Sequence, residues 1–340
     1  MLCRAMQKYF SAVDMLNLQD IEVNLSNKLE TLYEGKPLSE YHCIYAKGSY
    51  KYAHLLGAIT SSLSRTAYMP IVESAFVMAH DKIYTQIGIQ QNNIPMPTTY
   101  LAATIEGARK ILRKINYPLV MKFPKGAQGK GVMFADSFGS ASSILDALAT
   151  LKQPFLMQEY VETGGIDTRL IVVGKNVIAA MRRKAAFGEQ RANLHAGATG
   201  DSFMPGEFIK KIAVEAASSI GAEVCAIDIL EGAKGPVVIE INISPGLQGI
   251  TKVTGIDVAD KIASYLYEQT SKRFESKKSG EMKEFIKDVS YEEGHEIIVP
   301  AEFRGERLIL PQVASKASRL KDTDELSIVA KKGEIIVKKY

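Results

Sequence analysis

The hydrophobic positions of this chain recur in two periods, one of strands and one of helices. The runs VCAIDIL (224–230) and PVVIEINI (236–243) are almost continuously apolar, as strands covered on both faces are, and the EGAKG turn between them predicts an antiparallel hairpin. In the second run Ile239, Ile241 and Ile243 alternate with Glu240 and Asn242. A strand period of two sends the acid and the amide to one side and the isoleucines to the other. YPLVMKF (117–123) and PFLMQEYV (154–161) read as strands, and residues 168–183 as a hairpin turning at Gly174–Asn176. Helical spacing marks 105–115, 140–151, about 257–268, and 205–221, which has Pro205 near its start and Gly221 at its stop. Residues 81–102 read as a helix, a proline-broken turn and a short strand. The chain opens with a mixed α/β unit, and TSKRFESKKSGEMKEF (270–285) turns polar enough to predict a linker. Beyond it come HEIIVP, RLILP and a hairpin turning at Lys331–Gly333.

Composition narrows this picture only modestly. The chain has 340 residues, 46% hydrophobic and 24% charged, with a formal net charge of +4 and the signs well mixed, so no basic stripe argues for nucleic acid. Cys3, Cys43 and Cys225 lie far apart and form no C-x-x-C, which leaves no zinc ribbon or disulfide framework; free thiols fit a reducing cytoplasm. The opening MLCRAMQKYFSAVDML lacks the apolar core of a signal peptide, and no run is apolar enough to predict a membrane span. Both H-E-x-x-H and G-x-S-x-G are absent.

Candidate chemistry gathers in the C-terminal hairpin of the apolar region. A lone E-x-N fits a wet face of an edge strand. Asp228, in the preceding strand, changes this, because an antiparallel register can set residues 228 and 240 opposite each other. Asp228, Glu240 and Asn242 would then converge as two carboxylates and an amide oxygen, hard donors suited to Mg²⁺ or Mn²⁺. Magnesium held by so few side chains usually shares its coordination with phosphates. KFPKGAQGKGV (122–132) offers a phosphate loop, with Gly126, Gly129 and Gly131 to bring backbone N–H groups close and Lys122, Lys125 and Lys130 to add charge. It is neither a Walker A loop nor a Rossmann turn, and by itself it fits a hairpin tip equally well. MQEYV (157–161) ends a strand where backbone groups could read a base edge, or is a plain buried strand. Arg169, Arg182, Arg183, Arg191, Asn193 and His195 follow; arginine forks suit carboxylate and phosphate oxygens, although a solvated basic loop has the same composition.

Assembled, these stretches resemble an ATP-grasp domain from Lys82 to about Gln269, and within that superfamily the RimK-type glutamate ligases. The resemblance is carried by PLVMKFPKGAQGKGV, LMQEYVETGGIDTR, RANLHAGA, VCAIDIL and VVIEINISPGLQGITKVTGIDVADKI, in family order and spacing. It implies an α/β fold of the α+β kind: an N-terminal pre-ATP-grasp lobe (1–78), an ATP-grasp domain (79–270) with a small lobe (79–152) and a metal-binding lobe (153–270), a charged linker (271–290) and a small β domain (291–340). Lys82 and Lys122 match lysines that touch the ATP phosphates, with Gly129 and Gly131 in the loop over them. Glu159, Tyr160 and Val161 match the segment that meets adenine. Asp167 matches a nucleotide-contacting acid, and Arg191 and Asn193 lie near the triphosphate. Asp228, Glu240 and Asn242 match ligands of two Mg²⁺ or Mn²⁺ ions bridged by Glu240. Arg183 matches an arginine near the transferred phosphoryl group.

The implied reaction is ATP-dependent amide formation through an acyl phosphate, with L-glutamate as the amine and the carboxylate of a protein C-terminus, a carrier protein or a coenzyme as the acceptor. The implied setting is the cytoplasm, with no membrane partner. Residues 41–54 carry lysines where relatives often place an arginine, so the resemblance leaves the acceptor open. RLILPQVASKASRLKDTDELSIVAKKGEIIVKKY faintly resembles the swapped-hairpin β domain of AbrB-type proteins, which implies a homo-oligomer and makes the tail the one place for a nucleic-acid contact. The alternative is a catalytically silent ATP-binding regulator that uses this tail for dimerisation or DNA binding.

Overall fold

The computed structural model describes residues 1–340 except 27–28, 125, 127–130, 151–153, 187–198, 289–301, 311–313, 315–317, 319 and 322. The chain divides into two compact units, Met1–Thr270 and Ser271–Tyr340. In the first, α1 (Leu2–Met6) precedes a small antiparallel sheet of β1 (Ile21–Asn24), β2 (Glu30–Tyr33) and β3 (Lys36–Pro37). Three helices follow: α2 (Ala53–Leu63), α3 (Glu73–His80) and α4 (Lys82–Gln91).

A four-stranded antiparallel sheet comes next, from β4 (Thr99–Tyr100), β5 (Leu119–Lys122), β6 (Val132–Ala135) and β7 (Leu156–Glu159), in the order β4-β7-β5-β6. Its helices are α5 (Ile105–Leu112) and α6 (Phe138–Thr150). The Thr104 hydroxyl caps α5 by accepting from the Gly107 N–H at 3.0 Å. Ala108 and Leu112, one turn apart, then pack with Leu145 on Leu119, Met121 and Met157 of the sheet. Alternation leaves Val120, Lys122, Phe134 and Gln158 for the opposite face, which borders a cavity.

The second large sheet holds β8 (Ile166–Val173), β9 (Asn176–Lys184), β10 (Thr199–Ser202), β11 (Val224–Gly232) and β12 (Gly235–Asn242), in the order β10-β9-β8-β11-β12 with every pairing antiparallel. Helices cover both of its faces, which is why β11 reads as a continuous apolar run. On one side α7 (Glu207–Ser219), α3 and α4 pack against Leu170, Val172, Cys225, Ile227 and Ile241. On the other, α8 (Gln248–Thr254) and α9 (Val258–Asp288) pack against Ile171, Val173, Met181, Val224 and Ala226. Gly221 stops α7 as its place in the sequence predicts: it takes φ +71°, and a Cβ there would meet Val72 at 2.5 Å.

Two expectations change. The register of β11 and β12 shifts between Asp228 and Ile229, so that Val238, not Ile239, takes the core position opposite Ile229. Ile239 is the extra residue of a bulge; it leaves the isoleucine stripe and borders the cavity instead. The polar segment predicted as a linker is helical through Asp288, continuing α9 without a break. Its charges sit at helix-compatible residues, and no glycine or proline interrupts them before Gly280.

The second unit contains two hairpins, β13 (Glu302–Arg304) with β14 (Arg307–Ile309) and β15 (Leu326–Lys331) with β16 (Glu334–Lys339). The predicted turn at Lys331–Gly333 is present, with Lys331 paired to Glu334; HEIIVP lies outside the described residues. Among the described residues no helix is long and apolar enough to cross a membrane.

Candidate active site

The face of the five-stranded sheet that packs on α8 and α9 changes character along its strands. Toward one end it presents Ile171, Val173, Met181, Val224 and Ala226 to the helices. At the other end the same alternation places Asp167 and Arg169 on β8, Arg183 on β9, Asp228 on β11, and Glu240 and Asn242 on β12. Asp228 pairs with Glu240 and with Arg169 on its two sides, Ala226 with Asn242, and Asp167 with Arg183. The hairpin thus brings the three predicted metal ligands to one face, and all six side chains border a single cavity of about 560 Å³.

Buried charges there are held by forked hydrogen bonds. Arg169 donates to both oxygens of Asp228, at 2.8 and 2.7 Å. Arg183 donates to both oxygens of Asp167, each at 2.6 Å, and a second bond from its Nη2 reaches Asp228 Oδ2 at 2.9 Å. Burial works to raise the Asp228 carboxyl, but the guanidiniums of Arg169 and Arg183 outweigh it and hold the group well below the usual carboxylate range. Asp167 goes the other way. Burial and the charge of Asp228 push it up to about 6 against the pull of Arg183. Two like charges sharing one guanidinium cannot both be fully compensated, and the acid with two arginines wins.

The four-stranded sheet forms the opposite wall. Lys122, at the end of β5, points into the cavity and donates to Gln158 Oε1 at 2.6 Å, while Gln158 Nε2 donates to Thr99 Oγ1 at 2.8 Å. Burial lowers Lys122 to about 8; Glu240 pulls it back up and Lys82 adds to the lowering. Lys82, at the start of α4, donates to the Gly126 carbonyl at 3.2 Å. Gly131 has φ +78°, and a Cβ on it would overlap the Phe123 ring; the turn back into β6 requires glycine there. Glu159, Tyr160 and Val161 border the cavity where β7 ends, and Phe134 stands edge-on to Tyr160 with ring centres 6.1 Å apart. The N–H groups of Glu159 and Tyr160 are bonded to the Thr98 and Pro118 carbonyls. Among the described residues no backbone carbonyl takes the Val161 N–H, so of the three it is the one available to a base.

The cavity therefore gathers Lys82, Lys122, Glu159, Tyr160, Val161, Asp167, Arg183, Asp228, Glu240 and Asn242 from both sheets. Gly131 shapes the loop but does not border the cavity. Gly129, Arg191, Asn193 and His195 lie outside the described residues. Several bordering residues were not singled out from sequence. Gln158, 2% exposed, looked like strand filling next to Glu159. His80 Nε2 is buried without a partner among the described residues, and burial together with Lys82 lowers its pKa. Lys47 reaches across from the N-terminal segment to the Pro245 carbonyl at 2.6 Å, and the Gly48 N–H donates to Ser244 Oγ at 3.2 Å. Only a buried, unbroken polar run could have signalled them, and each sits singly among apolar neighbours.

The donor set fits a hard divalent cation. Asn242 Oδ1 accepts from the Ser244 N–H at 2.9 Å, which fixes the amide and leaves its second lone pair for a ligand. Among the described residues the Glu240 carboxylate has no hydrogen-bond or ion-pair partner, although it is half-buried at the cavity wall. An unpaired carboxylate beside a fixed amide oxygen and a second carboxylate matches oxygen-seeking Mg²⁺ better than a softer metal.

Residues 79–266 match the RimK-like ATP-grasp domain. The chain belongs to the RimK-like ATP-grasp family. It is accordingly an ATP-dependent ligase, of a family that uses ATP and Mg²⁺. A probable alpha-L-glutamate ligase of Thioalkalivibrio sulfidiphilus (strain HL-EbGR7) is 35% identical over 248 residues, 72% of this chain and 82% of that protein. One of Serratia proteamaculans (strain 568) is 31% identical over 283 residues, 82% of this chain and 94% of its own length. Among solved structures, the RimK domain ATP-grasp protein from Sphaerobacter thermophilus DSM 20745 superposes with a TM-score of 0.61 at 18% identity, covering 78% of this chain and 93% of that one. The ATP-grasp ligase PsnB, complexed with minimal precursor, Mg and ADP, gives 0.63 at 15% identity, over 79% and 93%. These likenesses bear out the α/β ATP-grasp fold, and none of them supports the silent-regulator alternative.

Proposed function

We propose that this ligase joins the amine of L-glutamate to a carboxylate acceptor, a protein C-terminus, a carrier protein or a small coenzyme, through an acyl phosphate. The observation that carries the reading is the convergence of Asp228, Glu240 and Asn242 on one sheet face, across a single cavity from Lys122. The relatives named as alpha-L-glutamate ligases suggest the amine.

Each residue then has work to do. Val161 N–H and the walls at Phe134 and Tyr160 receive adenine. Lys82 and Lys122 meet the polyphosphate, with the loop ending at Gly131 folding over it. Asp228, Glu240 and Asn242 would hold Mg²⁺ or Mn²⁺, two ions bridged by Glu240, which neutralise phosphate charge and set the γ-phosphoryl group in line. A carboxylate oxygen of the acceptor forms a bond to the γ-phosphorus as the bond to the ADP oxygen breaks. Arg183, held by Asp167, stays protonated and offsets the charge that develops on the transferred group. The amine nitrogen then bonds to the acyl carbon, loses its proton and displaces inorganic phosphate. No covalent enzyme intermediate is required; the protein positions two anions and excludes water. The enzyme works in the cytoplasm as a homo-oligomer, with the tail as the candidate contact.

The test is a panel of acceptors and amino acids scored by ADP release and product mass. ADP release should need both glutamate and one acceptor, with a product heavier by one glutamate residue. Glu240→Ala should lower turnover at least about 10²-fold; near-normal turnover in that variant would remove the metal assignment.

A further inference from the structure

Asp228 carries more cation than a metal ligand has room for. Both of its oxygens accept from Arg169, and Oδ2 also accepts from Arg183. A divalent ion bound to this carboxylate would stand against two guanidiniums, and like charges at such range repel strongly where water is scarce. One arginine must give way. Arg183 has a second anchor, the fork on Asp167, and only one of its three bonds goes to Asp228. Arg169 makes both of its fork bonds to Asp228, and its side chain is 18% exposed against 6% for Arg183. It borders the cavity, with Glu240 near enough to act on its charge.

We infer that Arg169 is a metal-gated carboxylate receptor: loading of the metal–nucleotide at Asp228 displaces its fork, which then takes the carboxylate of the incoming substrate. A planar fork that fits both oxygens of Asp228 fits both oxygens of a free carboxylate equally well. Before loading, the fork is occupied by the protein's own acid and the substrate has no receptor. Binding is therefore ordered, metal–nucleotide first and carboxylate second. This order keeps an activatable acid out of the site until a phosphoryl donor is in place. The inference rests on the ligase reading above and adds a role for a residue that reading leaves unused.

The test uses the full chain with Arg169→Lys, which keeps the charge and loses the fork, and Arg169→Gln, which loses both. Calorimetry with Mn²⁺·ADP should show equal or tighter binding in both variants, since a competitor for Asp228 is gone. Steady-state ADP release should show the KM of the carboxylate substrate raised at least about tenfold in both, the loss of one bidentate charged contact. In the wild type, L-glutamate or the acceptor should bind measurably only after Mg²⁺ and a non-hydrolysable ATP analogue are added. An Arg169→Lys variant with unchanged KM, metal–nucleotide binding weakened in both variants, or carboxylate binding of equal strength with and without nucleotide would overturn the inference while leaving the ligase in place. No turnover with any acid in the panel would sink the ligase reading, and this inference with it.

Discussion

Lys122 shows what burial does to a single charge. It sits on the cavity face of β5, and burial brings it down to about 8, with Glu240 acting against this and Lys82 reinforcing it. Below that pH the ammonium is intact and attracts a polyphosphate; above it the amine is neutral and the attraction is gone. Binding a polyanion raises the lysine's pKa, so affinity must fall as pH rises through about 8, by as much as about tenfold per pH unit. The same depression disfavours folding below about 8, because a buried ammonium costs energy, and that cost is relieved between 8 and the unfolded value of 10.5. Nucleotide dissociation constants measured from pH 7 to 9.5 should follow this fall in the wild type and stay flat in Lys122→Arg, whose guanidinium does not titrate there. Gln158 is the quieter partner. Its carbonyl oxygen holds the ammonium and its amide is held in turn by Thr99. Sequence marked Lys122 because a lysine ending an apolar strand is conspicuous; it could not mark a glutamine whose neighbour Glu159 drew the eye.

At the scale of elements, the hairpin of β11 and β12 decides the site. Had the register slipped by one residue, Glu240 and Asn242 would face α3, α4 and α7, and the isoleucines would face the cavity. The bulge after Asp228 absorbs one residue without that slip, and Gln86 of α4 donates to the Ile239 carbonyl that the bulge exposes, at 3.5 Å. The hairpin itself was legible from its two apolar runs and short turn. The bulge was not, because Val238 and Ile239 are both apolar and β-branched and only their packing separates them. Helix ends were plainer. Gly221 ends α7 in a left-handed conformation against Val72. Gly221→Ala should destabilise the fold by about 1–2 kcal/mol, seen as a drop in thermal midpoint of a few degrees for a domain of this size. An unchanged midpoint would show that the turn and Val72 relax around the new methyl.

Across the whole molecule, every described residue that borders the cavity lies between Lys47 and Gly246, inside the unit that ends at Thr270. The second unit supplies none of them. Ending the chain after Asp288, where α9 stops, should leave Mg²⁺–nucleotide affinity unchanged by calorimetry; a marked weakening would assign the tail a part in the site. The N-terminal segment, by contrast, does reach the cavity. Lys47 bonds to the Pro245 carbonyl just beyond the metal-ligand strand, and burial lowers its pKa. A part of the chain read only as a mixed α/β unit thus touches the turn that follows Asn242.

What sequence alone determined are the features carried by local period and by residue chemistry. These are the apolar hairpin with its out-of-place acid and amide, the helix stop at Gly221, the loop ending at Gly131, and the ordered stretches that mark an ATP-grasp ligase. Tertiary structure decided the rest, because it depends on which groups are brought together from distant segments. Asp228 and Arg169 lie 59 residues apart and meet only because β8 and β11 are neighbours in the sheet. Asp167 and Asp228 have the same side chain, yet burial with one arginine raises the first and burial with two lowers the second. No pattern along the chain encodes that difference, since the charge a carboxylate keeps is set by its neighbours in space.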